Sequence, residues 1–215
     1  MNSSGKQDAD GAPAARGPGS KAPIRRRGVR TRAHLVRAAQ KVFERDGYLD
    51  ARVADIAAAA GVAHGSFYTY FDSKEDVFRE LAEAVVKEVH AALDTPEETD
   101  PQDRIRATNR RYLELYERHA LVLGLIEQVG NLGEFHGLRR ALRARLVDRV
   151  EHLIRGLRAD GEAAPEPLDP HLVASALVGM VDSFAHSWFV LKEPFDREAA
   201  LANLDAIWLR TLGIA

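Results

Sequence analysis

The 215-residue chain contains no cysteine, which excludes a disulfide framework, a thiol nucleophile and any cysteine-held zinc or iron–sulfur centre. Long hydrophobic runs are missing as well. No stretch approaches the ~20 consecutive apolar residues that span a bilayer, and the first 30 residues lack the apolar core of a secretory signal. Membrane-integral and secreted roles are therefore not expected, and the cytoplasm is the expected location. Proline is absent from residues 24–95, 102–164 and 171–193. Proline-free tracts of that length, rich in Ala, Leu, Arg and Glu, favour helix. No segment alternates with period two long enough to make a strand, so the expected fold class is all-α, with about nine helices. What is present is ordinary: 46% hydrophobic and 29% charged residues exclude general disorder and leave one compact body with a small appended module.

Charge is unevenly spread beneath a net of −2. Residues 1–32 carry eight basic against two acidic side chains, net +6, so the remaining 22 basic and 30 acidic residues leave −8. The segment 1–28 is rich in Pro, Gly, Ser and Ala and is expected to be a disordered basic arm. Such an arm on an acidic body suits a polyanion at one end.

Leu35, Ala38, Ala39, Val42 and Phe43 follow one face of an amphipathic helix, with Thr31 as its expected N-cap and Gly47 as its stop. Val53, Ile56, Ala57 and Ala60 make a second, two-turn stripe that ends at Gly61. A third short helix is expected over Ser66–Phe71, where Phe67 and Phe71 can plug a small core. That would leave Ser66, Tyr68, Thr69 and Tyr70 exposed, a surface of hydroxyls and rings suited to phosphate oxygens and base edges. Three short helices with a glycine turn between the second and third are the minimum of a helix-turn-helix unit. Ser73 opens a long helix by capping chemistry. Asp100-Pro101, Asp169-Pro170 and Asp196 open three more, and Leu121–Val129 and Phe135–Leu157 supply two others.

The stretch Val53-Ala54-Asp55-Ile56-Ala57, followed by Gly61-Val62-Ala63-His64-Gly65-Ser66-Phe67-Tyr68-Thr69-Tyr70-Phe71-Asp72-Ser73-Lys74-Glu75-Asp76, resembles the DNA-binding module of the tetracycline-repressor (TetR) family of bacterial regulators. The resemblance covers residues 31–78. It implies a helix-turn-helix DNA-binding domain over 29–76 and a helical effector-binding and dimerisation domain over 77–215. It also implies that Tyr68 and Tyr70 contact phosphates or bases, that Lys74 reaches a phosphate, that Ser66 and Thr69 read bases, and that His64 flanks the recognition helix. The chain departs from the family where Arg52 stands in place of a Ser or Thr cap; Arg52 can hold a phosphate by charge alone. By the same resemblance, Arg25-Arg26-Arg27 and Arg30 could place the arm in a minor groove.

The second half carries no comparably specific motif. Val173–Val181 is apolar nearly all round and needs cover on more than one side. With Leu201, Leu204, Trp208 and Leu212 of the last helix, it suggests a homodimer built on four helices. Asn109 on the Ile105–Tyr112–Tyr116 face needs a partner or a ligand. Tyr112, Tyr116, Ile126, Phe135, Met180, Phe184 and Trp188 are candidates to line an apolar effector cavity. The expected function is a ligand-responsive DNA-binding transcriptional regulator, most naturally a repressor released from a double-stranded operator by a small hydrophobic, acyl-type effector. The alternative is a helical enzyme or small-molecule carrier. The eight histidines form no His-x-x-x-His pair, and there is no phosphate loop or nucleophile elbow. No metal, cofactor or catalytic residue is expected, and salt-steep binding to duplex DNA would separate a regulator from a carrier.

Overall fold

A computed structural model describes residues 22–94, 100–129, 135–162 and 168–214. Among them are nine helices and no strand: α1 (Ala22–Asp46), α2 (Val53–Ala59), α3 (His64–Phe67), α4 (Lys74–Leu93), α5 (Pro101–Arg118), α6 (Ala120–Val129), α7 (His136–Ala159), α8 (Pro170–Phe189) and α9 (Arg197–Leu212). The expected all-helical class and helix order are both met.

The start signals work as local chemistry requires. Ser73, Asp100, Asp169 and Asp196 each accept a hydrogen bond from the backbone amide three residues on, at 3.2, 3.0, 3.0 and 2.8 Å. The turn after α2 is a Schellman closure: Val62 N–H bonds to Ala57 O and Gly61 N–H to Ala58 O, both at 3.0 Å. Gly61 takes φ +67° to make it, a conformation that costs a side-chain-bearing residue strain.

Two boundaries differ from the sequence expectation. Helix α1 begins at Ala22 rather than after Thr31, so Thr31 lies inside the helix and is not its first residue's cap. Pro23 sits in the first turn, where its missing N–H removes no helical bond. Residues 22–28 of the supposed arm are thus helical; residues 1–21, with Lys6, Arg16 and Lys21, lie outside the described residues. The third helix spans His64–Phe67 instead of Ser66–Phe71. Beyond it the chain turns tightly, with Tyr70 N–H bonded to Phe67 O at 2.9 Å.

One buried cluster runs through the molecule from Leu35 to Ile214. Helix α4 crosses the whole of it. Its first half packs Val77, Phe78 and Leu81 with α1, and Val85, Val89 and Leu93 continue the buried stripe toward the second half. Helix α8 is long and apolar enough to cross a membrane by composition, but here it packs chiefly on α7 and α5 and buries Val173, Ala174, Leu177, Val178 and Val181. On α9, Leu204, Trp208 and Leu212 are buried within the chain itself. The exposed large apolar side chains of α8, α9 and the segment between them are instead Leu172, Leu191, Phe195 and Ile207.

Candidate functional site

The segment from Arg52 to Phe71 builds an exposed polar edge on an apolar plug. Phe67 and Phe71 are buried, with ring centroids 5.8 Å apart, so the residues between them are turned outward. Arg52, His64, Ser66 and Thr69 are exposed, and Tyr68 is 51% exposed. The Tyr68 ring stands edge-on to His64 at 5.5 Å and to Phe67 at 5.4 Å. These contacts aim the phenol before any partner arrives, which lowers the entropy lost on binding. Arg52 occupies the N-cap of α2 without a side-chain cap bond, and its guanidinium extends from the position where the amides of α2 begin.

Tyr70 is not the second exposed tyrosine that the sequence suggested. It is half-buried and packed on the core, and its Cε1 lies 3.9 Å from where a Cβ on Gly28 would sit. Gly28, in the N-terminal extension of α1, is therefore one of its neighbours. Lys74, the expected phosphate contact, is engaged within the chain. Its ammonium donates to the carbonyls of Tyr48 and Leu49 at 2.9 Å and of Ala51 at 3.1 Å. All three of its protons are therefore engaged within the chain, closing the loop that leads into α2.

Arg32 was not singled out from the sequence, yet it ties the unit together. Its guanidinium pairs with Glu80 of α4 at 2.6 Å, donates to the carbonyl of Tyr70, and lies over the Phe71 ring at 4.0 Å. Through Arg32 and Lys74, the end of the α3 segment and the start of α2 are both fastened to α4. Only Arg32's i, i+3 spacing from Leu35, which sets it beside the buried face of α1, could have hinted at this.

At the other end of α4 lies a cavity of about 390 Å³ between α4, α5, α7, α8 and α9. Ile105, Leu146, Val150, Val178 and Val181 form its apolar walls, and Asn109 and Tyr112 also line it. Asn109 finds its partner within the chain, donating to Asp205 of α9 at 2.9 Å. Tyr112 donates to Asp182 of α8 at 2.8 Å. Burial and the neighbouring carboxylate hold the Tyr112 phenol far above its usual range, and burial raises the Asp182 carboxyl too.

The other expected pocket residues are placed elsewhere. Tyr116 and Ile126 line a separate space of about 40 Å³ beside Arg139 and Asp182. Phe135, Met180, Phe184 and Trp188 line neither cavity. Phe135 is buried against Phe78 at 5.2 Å and Tyr48 at 6.1 Å, joining the start of α7 to the first helices. Phe184 and Trp188 cluster with Phe195 near the surface, at 4.9 and 6.2 Å, and Met180 is half-buried on the same helix. Arg104, Arg149, His152 and Trp208 line the large cavity without having been picked out; Trp208 had read as part of an intersubunit stripe.

Residues 35–81, which hold all of this polar edge, match the family model of bacterial regulatory proteins, tetR family. The match covers 47 of the 215 residues and identifies that segment as a tetR-family DNA-binding module. It is similar to the transcriptional regulator AcrR of Shigella flexneri, 26% identical over 189 residues that cover 83% of this chain and 87% of that one. The regulator EthR of Mycolicibacterium smegmatis is 27% identical over 186 residues, covering 84% and 85%. Among solved structures, the fatty acid degradation regulator FadR from Bacillus halodurans shares the fold with a TM-score of 0.66 at 23% identity, covering 83% of this chain and 94% of that one. By that module and these relatives, the chain is a helix-turn-helix DNA-binding transcriptional regulator.

This regulator carries a buried histidine where α4 meets the cavity region. His90 is buried, its Nε2 has no hydrogen-bond partner, and burial, then the nearby Arg145 and Arg149, push its pKa below 6.5 against the pull of Asp94. The unfolded chain therefore takes up a proton that the folded chain refuses. Stability from this group is complete above about pH 7 and falls as pH drops through the unfolded value near 6.5. Urea unfolding at pH 7.5 and 5.5 should show a smaller acid loss for His90→Gln than for the wild type. Equal losses would assign the acid sensitivity to other groups.

Proposed function

We propose that this regulator acts as a homodimeric repressor, released from its operator when a small hydrophobic effector, of acyl type, occupies the α4–α5–α7–α8–α9 cavity. The observation that carries the reading is α4 itself. It is fastened at one end to the polar edge through Lys74 and Arg32–Glu80, and Leu93 and Asp94 at its other end line the cavity. Its 20 residues make a rod of about 30 Å at ~1.5 Å per residue. An effector that prefers one tilt of this rod shifts the spacing of two recognition segments in a dimer, and typical coupling is ~1–3 kcal/mol.

Arg52, His64, Ser66, Tyr68 and Thr69 are assigned to the DNA, with Tyr70 supporting the segment from behind. The units 29–76 and 77–215 then divide DNA reading from effector binding and dimerisation, with α4 shared between them. The exposed Leu172, Phe195 and Ile207 of α8, α9 and the segment between them are assigned to the dimer contact. A short recognition segment reads few base pairs alone, and a dimer with half-sites ~34–36 Å apart restores specificity.

The test is binding to duplex DNA from the protein's own upstream region, followed by anisotropy across salt concentrations. A regulator gives saturable binding that weakens steeply with salt; salt-independent or absent binding removes the reading. Tyr68→Ala should weaken operator binding by about tenfold, since one lost contact is worth ~1–1.5 kcal/mol. It should leave unfolding free energy within ~0.5 kcal/mol, as for exposed sites. Tyr70→Ala should cost stability as well, because its ring is packed.

A further inference from the structure

We infer that the α5–α9 wall of the large cavity reads a carboxylate on an otherwise apolar effector, with Trp208 and Arg104 as its donors; this deepens the ligand-responsive reading above. Trp208 is only 4% exposed, yet its indole N–H has no hydrogen-bond partner. The buried Nε of Arg104 has none either. Both residues line the cavity. Buried polar groups left unmade are costly and rare, so two on one cavity wall call for an explanation.

The remaining polar groups of the wall are accounted for. Tyr112 donates to Asp182, Asn109 to Asp205, and the Thr108 hydroxyl to Arg104 O at 2.7 Å. Arg149 is paired with Asp94 at 2.7 Å. Indole and guanidinium nitrogens can only donate, so the missing partner is an acceptor. A carboxylate offers two oxygens to two donors and a charge to match the guanidinium; an alcohol offers one neutral oxygen, and an ammonium offers none. The carboxylates of the lining, Asp94 and Asp160, and the His152 ring are exposed to solvent, whereas Trp208 is buried. Ile105, Leu146, Val150, Val178 and Val181 supply the surface for an aliphatic body, and about 390 Å³ falls in the ~300–1,000 Å³ range of ligand sites.

Calorimetric titration of the full-length protein with decanoate, 1-decanol and decylammonium tests this, since the three share one chain length and differ in the polar end. Decanoate should bind about tenfold tighter than 1-decanol, the scale of one charge-assisted bond, and decylammonium should bind weakest. Arg104→Gln should lower decanoate affinity to that of 1-decanol while leaving 1-decanol unchanged. Trp208→Phe should act likewise; if it fails to fold by circular dichroism, Arg104→Gln alone carries the test. Equal binding of decanoate and 1-decanol, an Arg104→Gln loss shared by both, or no binding of either overturns the inference. Operator affinity measured with decanoate bound is a separate readout. Head-group discrimination with unchanged operator affinity upholds the carboxylate site and removes the ligand-responsive reading instead.

Discussion

Phe135→Ala should lower the unfolding free energy by about 3–5 kcal/mol, the range for removing a fully buried aromatic side chain. The ring is 2% exposed and stands edge-on to Phe78 and Tyr48, with the Arg79 guanidinium 5.8 Å above its centroid. Phe78 and Tyr48 in turn pack on Phe43 of α1. The substitution therefore empties the point at which the start of α7 is joined to the first helices. The same helix lines the large cavity with Leu146, Val150 and Leu153, which gives the variant a second expected effect. Its operator affinity should become less responsive to decanoate, because the packing that ties the cavity-lining α7 to the first helices has been cut. Phe135→Leu, which keeps most of the volume, should recover much of the stability. Urea unfolding and anisotropy with and without decanoate measure both effects, and a cost below ~1 kcal/mol would contradict the packing described.

Lys74→Met should cost about 2 kcal/mol and weaken operator binding at the same time. Net values of ~1.5–3 kcal/mol hold for one hydrogen bond to a charged group, and the three bonds share one half-exposed ammonium, so they do not add. The carbonyls of Tyr48, Leu49 and Ala51 would lose their common donor, and the loop that sets the entry of α2 would loosen. Lys74→Arg should not restore the wild type, because a planar fork does not match three converging carbonyls as a compact ammonium does. The family resemblance makes a contrasting prediction. A lysine that only contacts phosphate would leave stability unchanged when replaced and reduce the slope of log affinity against log salt by about one. Unfolding curves and salt titrations on the same variant separate the two.

These two residues show where reading the chain residue by residue stops. Ser73, Asp100, Asp169 and Asp196 could be assigned as helix caps from sequence because an N-cap bond closes over three residues of local chain. Gly61 was legible for the same reason, and so was the spacing of the second and third helices, since a left-handed closure is decided within one turn. The alternation of Phe67 and Phe71 with polar neighbours likewise placed Tyr68, Ser66 and Thr69 outside. The all-helical class and the DNA-binding unit follow from such short-range rules.

The tertiary structure decided the rest, because those features depend on what another helix brings near. Thr31 has an N-cap side chain but is interior, since α1 continues back to Ala22, and that extension makes Gly28 a neighbour of the packed Tyr70. Lys74 meets three carbonyls more than twenty residues away in sequence. An aromatic side chain fits a core, a cavity or a surface patch equally well by composition, so Phe135, Phe184 and Trp188 could not be told apart from Tyr112. Arg104 and Trp208 carried no signal that set them apart, because a cavity exists only where five packed helices fail to fill the space between them, and that depends on their relative placement rather than on any one segment's pattern.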